Sequence, residues 1–367
     1  MLFILIPCLT IFVIWTILNA LCLPRLPKQA SLERTPLVSV MVPMRNEERN
    51  ALSIVQCLKS LTYPNLEFIL LDDQSTDQTC SILKKQIEGD SRFRLLSGGN
   101  LPNQWVGKVH ACHQLQQEAN GDYFLFVDAD VRLKPHCLEK SISLMQTSHV
   151  QLLTGFSAFE VPSFLSKLLV PMQHFVVLFH LPLMIANRTN ILATTAAHGG
   201  FMLFERVAYR KMGGHETVRS SLVEDVHIAR RMKEKGFNVL LANITDEVSC
   251  RMYETNREVW EGFLKNIYNG LGRSFPLVVL LTIFYGFFYI GPLLLLVFGI
   301  FQLEPIYFIP YILVTCQRYI VDRVTNQRGY LSLLMPLSAA SFICIMHASM
   351  WRSWSKQSYE WKGRFYS

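Results

Sequence analysis

Apolar and polar positions divide the chain into three regimes. Residues 2–23 (LFILIPCLTIFVIWTILNALCL) carry no charge over about the ~20 residues that a bilayer core requires, and they predict a spanning helix. No basic residue precedes this run, and Pro24, Arg25, Pro27 and Lys28 follow it in place of a small-residue cleavage site. A retained anchor is therefore expected rather than a cleaved signal peptide, with Arg25, Lys28 and Arg34 on the cytoplasmic side. Toward the other end, 275–301, 305–320 and 331–350 are apolar, the first two separated by the short polar break at Gln302, Leu303 and Glu304. If all three span, the basic tail (Arg352, Lys356, Lys362, Arg364) falls opposite the cytoplasm, against the positive-inside tendency. One of them is then expected to be re-entrant or interfacial.

Between about 35 and 253, short β-rich runs alternate with helix-length amphipathic stretches. That alternation predicts an α/β domain with a mostly parallel sheet. The expected strands are 38–43, 67–71, 92–96, 123–127, 150–153 and 239–242, several of them apolar on both faces, as suits strands covered by helices. Within this region 164–185 is apolar but interrupted by Lys167, Gln173, His174, His180, Pro171 and Pro182. It is expected to lie at the membrane surface, a buried core helix being the alternative. The division is then an anchor at 1–24, a catalytic-sized domain at 35–260 containing the 164–185 interfacial helix, membrane segments at 275–351 and a basic tail at 352–367. The expected setting is a cell membrane, multi-pass, with the domain cytoplasmic.

Composition narrows the class. Of 367 residues 50% are hydrophobic and 17% charged, and the mean hydropathy is +0.24, which excludes disordered, collagen-like and coiled-coil chains. The net charge of +7 suits an anionic membrane surface, and no run of Lys/Arg interleaved with aromatics points to nucleic acid. The nine cysteines stand singly, without C-x-x-C, so neither a zinc site nor a disulfide framework is indicated.

In a parallel α/β sheet the ligand site lies beyond the carboxyl ends of the strands. Arg45-Asn46-Glu47-Glu48, Asp72-Asp73-Gln74-Ser75-Thr76-Asp77 and Asp128-Ala129-Asp130 occupy three such ends. Converging carboxylates are costly unless a cation or ligand neutralises them, and a hard divalent ion bound with phosphate oxygens would do so. Asp128 and Asp130 share a face if the strand continues extended. For Asp77 the turn and N-cap reading is preferred, for Asp73 and Asp130 the functional one. His110 and His113 share a helix face but lack a third ligand, so a structural role is expected. His198 stands beside Gly199-Gly200, where backbone can approach a ligand closely.

The ordered set VSVMVPMRNEE (38–48), FILLDDQSTDQT (68–79), WVGKVHA (105–111), FVDADV (126–131), HGGFMLF (198–204) and VEDVHIARRMKEKGF (223–237) resembles family 2 glycosyltransferases of the GT-A fold, over roughly 35–260. The resemblance implies a Rossmann-like nucleotide-diphospho-sugar transferase using Mg2+ or Mn2+ and a nucleotide-sugar donor, with uridine the expected base. It places Pro43, Asn46, Glu47, Asp73, Lys108 and Asp128 at the donor and Asp130 with Asp128 at the metal. It makes Asp225 the catalytic base supported by Glu224, and puts His198, Gly199 and Gly200 on the acceptor side. His227 is a weaker candidate facing the metal or diphosphate. An inverting displacement with no covalent intermediate would follow.

The Q-x-x-R-W of processive members is missing from 256–266. Trp105-x-Gly107-Lys108-x-His110-Ala111-Cys112, Gly213-Gly214-His215 and the terminal Glu360-Trp361-Lys362-Gly363-Arg364-x-Tyr366-Ser367 are similar to carotenoid-acid and hopanoid-associated glycosyltransferases. That similarity implies a terpenoid lipid acceptor arriving from the bilayer beside 164–185, the alternative being another glycolipid or a polysaccharide precursor. The sequons at Asn187 and Asn243 should carry no glycan in a cytoplasmic domain.

Overall fold

The computed structural model describes residues 2–32, 34–355 and 359–366, and it divides into two compact units. Lys356 and Ser367, named above, lie outside the described residues.

One unit comprises Leu23–Ala158 and Leu183–Cys250. Its sheet has seven strands: β1 (Val38–Met44), β2 (Leu66–Asp72), β3 (Phe93–Ser97), β4 (Tyr123–Val127), β5 (Leu152–Phe156), β6 (Phe201–Glu205) and β7 (Val239–Asn243). Their order is β3-β2-β1-β4-β6-β5-β7. All run parallel except β6, which lies antiparallel between β4 and β5 with Val127 opposite Phe201. The sheet is thus mixed, and β6 was not among the expected strands. Its five residues follow a Gly-Gly pair and the first four, Phe201–Phe204, are buried on both faces, so they show no period-2 alternation to signal a strand.

The sheet face formed by Met41, Ile69, Leu71, Phe124, Phe126 and Phe204 packs against the helices Gly107–Glu118 and Glu224–Glu234 through Val109, Leu115, Ile228 and Met232. Each such buried side chain contributes about 1.5–3 kcal/mol. This packing fixes those two helix N-termini at the carboxyl ends of the strands. Pro43 lies beyond the end of the β1–β4 pairing, where its missing N–H costs no ladder bond on that side.

The other unit comprises Met1–Cys22, Phe159–Pro182 and Arg251–Ser367. Three of its helices are long and apolar enough to cross a membrane: Leu2–Leu21, Phe275–Gln302 and Gly329–Trp354. The segment expected at 305–320 is instead a 3-10 turn, Pro305–Phe308, followed by the helix Ile309–Val324 of 16 residues. That helix carries a fully buried ion pair between Arg318 and Asp322 at 2.7 Å. Gln317 donates to Thr16 Oγ1 at 2.9 Å and accepts from Tyr289 Oη at 3.0 Å, so the helices are joined by buried polar contacts as well as apolar ones. The rings of Phe275 and Trp354 stand 5.6 Å apart, and Arg352 Nη1 meets Glu261 Oε2 at 2.8 Å. The last long helix thus ends beside the start of Phe275–Gln302.

The 164–185 stretch is not one helix lying on a surface. It forms Phe164–Leu169, Met172–His180 and a third helix, Leu183–Arg188, interrupted at Pro171 and Pro182. The central piece is buried: Phe175 and Leu178 are fully enclosed, Trp15 Nε1 donates to Phe179 O at 2.8 Å, and Asn19 Nδ2 donates to Leu178 O at 2.9 Å. This matches the core-helix alternative for that piece.

Candidate active site

Lys108 stands at the centre of the carboxylate cluster. It lies in the first turn of the helix Gly107–Glu118, and its Nζ meets Asp128 Oδ1 at 2.8 Å and Glu224 Oε1 at 3.0 Å. Burial disfavours its charge, but the Asp128 and Glu224 carboxylates outweigh this and hold the ammonium well above the usual lysine range. Glu224 is pulled down by the same contact despite its burial. Asp128 is pushed up by burial, with Lys108 opposing. The family resemblance implied a place for Lys108 at the donor; its bridging of acids from two distant motifs is a tertiary contact.

Asp225 adjoins this bridge at the start of the helix Glu224–Glu234. Gly199 N–H donates to its Oδ2 at 3.0 Å and Val226 N–H to its Oδ1 at 2.8 Å. Burial, then the Glu224 charge, raise its carboxyl to about 6, against the stabilisation from those donors and from Lys108. Gly199 lies against this pair, a Cβ there falling at ordinary contact distance, 3.4 Å, from both Asp225 Cβ and Lys108 Nζ. At Gly200 a Cβ would meet the His198 ring at 2.8 Å. His198 exchanges backbone bonds with Thr154 Oγ1, donating to it at 3.0 Å and accepting from it at 3.2 Å, and burial depresses its imidazole to about 4. It is a neutral, enclosed ring. His227 hydrogen-bonds Ser221 Oγ at 2.7 Å.

The D-x-D pair is placed by a turn rather than by extended strand. β4 ends at Val127, and Val131 N–H returns to Asp128 O at 3.1 Å. Contrary to expectation, Asp128 and Asp130 therefore do not share the face of an extended strand. The two carboxylates are held differently: Asp128 by Lys108, Asp130 by a hydrogen bond with the buried Cys250. Among the described residues no group of three His, Cys, Asp or Glu could hold a metal ion. Two hard-oxygen carboxylates at one turn do fit a divalent ion whose remaining ligands are phosphate oxygens.

On the other side of the sheet end, Asn46 adopts φ 51° and its Oδ1 accepts from Thr76 N–H at 2.8 Å, while Ser75 Oγ accepts from Asn46 N–H at 2.9 Å. Arg45 Nη1 donates to Asp73 O at 2.5 Å, and Glu47 Oε2 accepts from Asn50 Nδ2 at 2.8 Å. Asp77 is the turn residue anticipated, accepting from Thr79 N–H at 3.0 Å and from Glu48 N–H at 3.2 Å. Asp73 is buried beside Gly98, where a Cβ would lie 3.0 Å from Asp73 Cα. The Gly98-Gly99 pair after β3, absent from the expected site residues, allows this close approach of the backbone to Asp73. His110 and His113 pack around Trp105, with ring centroids at 5.4 and 5.0 Å, and pair with Gln114 and Gln117, as a structural role requires.

The mixed seven-stranded sheet, with acidic residues at its strand ends, has the GT-A fold of glycosyltransferases. Residues 39–213 match the model for glycosyl transferase family 2, and this segment is a domain of that family. The 4,4'-diaponeurosporenoate glycosyltransferase of Staphylococcus haemolyticus is 27% identical over 262 residues, 68% of this chain and 66% of the relative. An uncharacterized glycosyltransferase of Haemophilus influenzae is 34% identical over 125 residues, 34% of this chain. The chain thus spans about two thirds of the first relative's length and about half (48%) of the second's. Among solved structures, the mannosyltransferase PcManGT of Pyrobaculum calidifontis, in complex with GDP-Man and Mn2+, superposes with a TM-score of 0.54 at 15% identity, covering 97% of this chain and 100% of that one.

Proposed function

We propose that the protein is an inverting, membrane-bound glycosyltransferase that moves a sugar from a nucleotide-diphospho-sugar, the expected donor being a UDP-sugar, to a terpenoid lipid acid or alcohol. The observation that carries this reading is the Asp225 carboxyl, aimed by two backbone N–H groups and raised to about 6. A carboxylate so tuned is ionised at neutral pH yet basic enough to take the acceptor's proton as its oxygen attacks the anomeric carbon. Glu224 raises its basicity and anchors Lys108. Lys108 adds positive charge beside the leaving diphosphate. Pro43, Asn46, Glu47 and Asp73 bind the nucleoside, and His198, Gly199 and Gly200 form the acceptor side, the neutral His198 suiting an apolar neighbour. A divalent ion, when bound, would supply Lewis-acid stabilisation of the diphosphate, held by Asp130 with Asp128.

The lipid acceptor is supported by the likeness to the diaponeurosporenoate enzyme and by the span-length helices. With the end of Gly329–Trp354 beside Phe275, the basic tail leaves on the side where the preceding span begins, which fits a cytoplasmic domain and the positive-inside tendency. The domain is taken as 35–260, with membrane segments at 1–24 and 275–351. The test is the full chain in membranes, a panel of nucleotide-sugars and mass analysis of new glycolipids, alongside Asp225→Asn. Loss of transfer with donor binding retained is expected; near wild-type transfer by the variant, or elongation of soluble oligosaccharide alone, overturns the reading.

A further inference from the structure

A second concave site lies in the helical unit, formed by the polar ends of apolar helices. A cavity of about 390 Å³ is lined by Phe159, Glu160, Lys167, Arg251, Gln327 and Arg328, among others. Residues 159–162 lead into the apolar stretch Phe164–His180, and 326–328 link Ile309–Val324 to the span-length helix Gly329–Trp354. The floor is ordered: Gln327 Nε2 donates to Phe159 O at 3.0 Å, and the Phe159 ring stacks on His174 at 4.2 Å. Three cations face one anion. Arg251 Nε is paired with Glu160 Oε2 at 3.1 Å, whereas among the described residues neither Lys167 nor Arg328 makes an ion pair. Two cations without an ion-pair partner remain in a lining that includes the exposed Tyr330, and the exposed Phe164 lies one helical turn before Lys167.

We propose that this cavity holds the phosphate of an anionic lipid headgroup. Lys167 and Arg328 supply the charge, with the guanidinium able to grip two phosphate oxygens, and the apolar rim meets the glycerol and upper acyl chains. The shared chemistry is a phosphate ester, which a soluble phosphate could also present. The site lies outside the catalytic cluster and does not rest on the proposed reaction.

The test is retention of phosphatidylglycerol by the purified full chain, read by native mass spectrometry after extraction from phosphatidylcholine nanodiscs doped with that lipid. The wild type should keep phosphatidylglycerol in preference to phosphatidylcholine. Lys167→Gln and Arg328→Gln should each lower retention about five-fold. The charge-conserving pair Lys167→Arg and Arg328→Lys should restore it, and Lys84→Gln, at an exposed position of the other unit, should change nothing. Equal retention by wild type and both glutamine variants, or equal loss in Lys84→Gln, overturns the site. If inorganic phosphate displaces the lipid and binds equally in phosphatidylcholine alone, the ligand is soluble and the lipid assignment fails.

Discussion

Glu224→Gln isolates the electrostatic part of the tuning of Asp225. The carboxyl sits at about 6 against an ordinary 3.8. That displacement of about two pH units corresponds to about 3 kcal/mol of disfavoured ionisation. Burial is the larger cause and the Glu224 charge the second, while the N–H groups of Val226 and Gly199 and the Lys108 ammonium pull the other way. A neutral amide of the same shape keeps the burial and removes the charge, so Asp225 should titrate lower while staying above 3.8. A base must be ionised to act, so activity is lost as pH falls through its pKa. The wild-type acidic limb of kcat/KM is therefore expected near pH 6, and in the variant it should move down by part of about two units. Initial rates with the full chain in membranes, measured across pH, give both limbs. The variant also frees Lys108 from one of its two carboxylates, which lowers the height of the profile but not the direction in which the limb moves. A limb that stays near pH 6 or moves up refutes either Asp225 as the base or Glu224 as the source of its tuning.

Lys108→Met leaves Asp128 and Glu224 facing each other without their cation; with side chains 31% and 15% exposed, the cost should be about 1–3 kcal/mol. Both carboxyls then titrate higher, so the loss in melting temperature should be smaller at pH 5 than at pH 7; an equal loss at both would show that the bridge is not electrostatic. Gly155→Ala would place a Cβ 2.4 Å from Ala242 O, across the β5–β7 pairing, and should destabilise the sheet by about 3 kcal/mol in denaturant melts, whereas wild-type stability would contradict the register.

The sequons lose their value as topology markers. Asn187 Nδ2 donates to Leu241 O and its Oδ1 accepts from Leu241 N–H, both at 2.9 Å, and Asn243 is buried with Oδ1 accepting from Thr245. A folded domain cannot accept glycans there on either side of a membrane, so their absence does not report orientation.

Local chemistry was legible in the sequence because it depends on near neighbours. The strands 38–43 and 123–127 are largely apolar runs, the first followed by Arg45-Asn46-Glu47 and the second by Asp128, and Glu224-Asp225 heads a stretch with helical spacing, so all three elements and the polar residues at their ends could be named. The turn role of Asp77 followed from two-residue chemistry with Thr79. The helices Leu2–Leu21 and Phe275–Gln302, long and apolar enough to cross a membrane, followed from the length and apolarity of 2–23 and 275–301. What depends on distant partners was decided only by tertiary structure. A strand buried on both faces has no alternation to reveal it and no signal of its direction, so the antiparallel β6 stayed hidden. The turn after β4, rather than the D-x-D spacing, gives Asp128 to Lys108 and Asp130 to Cys250. The fate of 164–185 was set by helices that come before and after it in the chain. An apolar segment is buried or exposed according to what packs on it, and Trp15 and Asn19, roughly 160 residues away, close over its carbonyls.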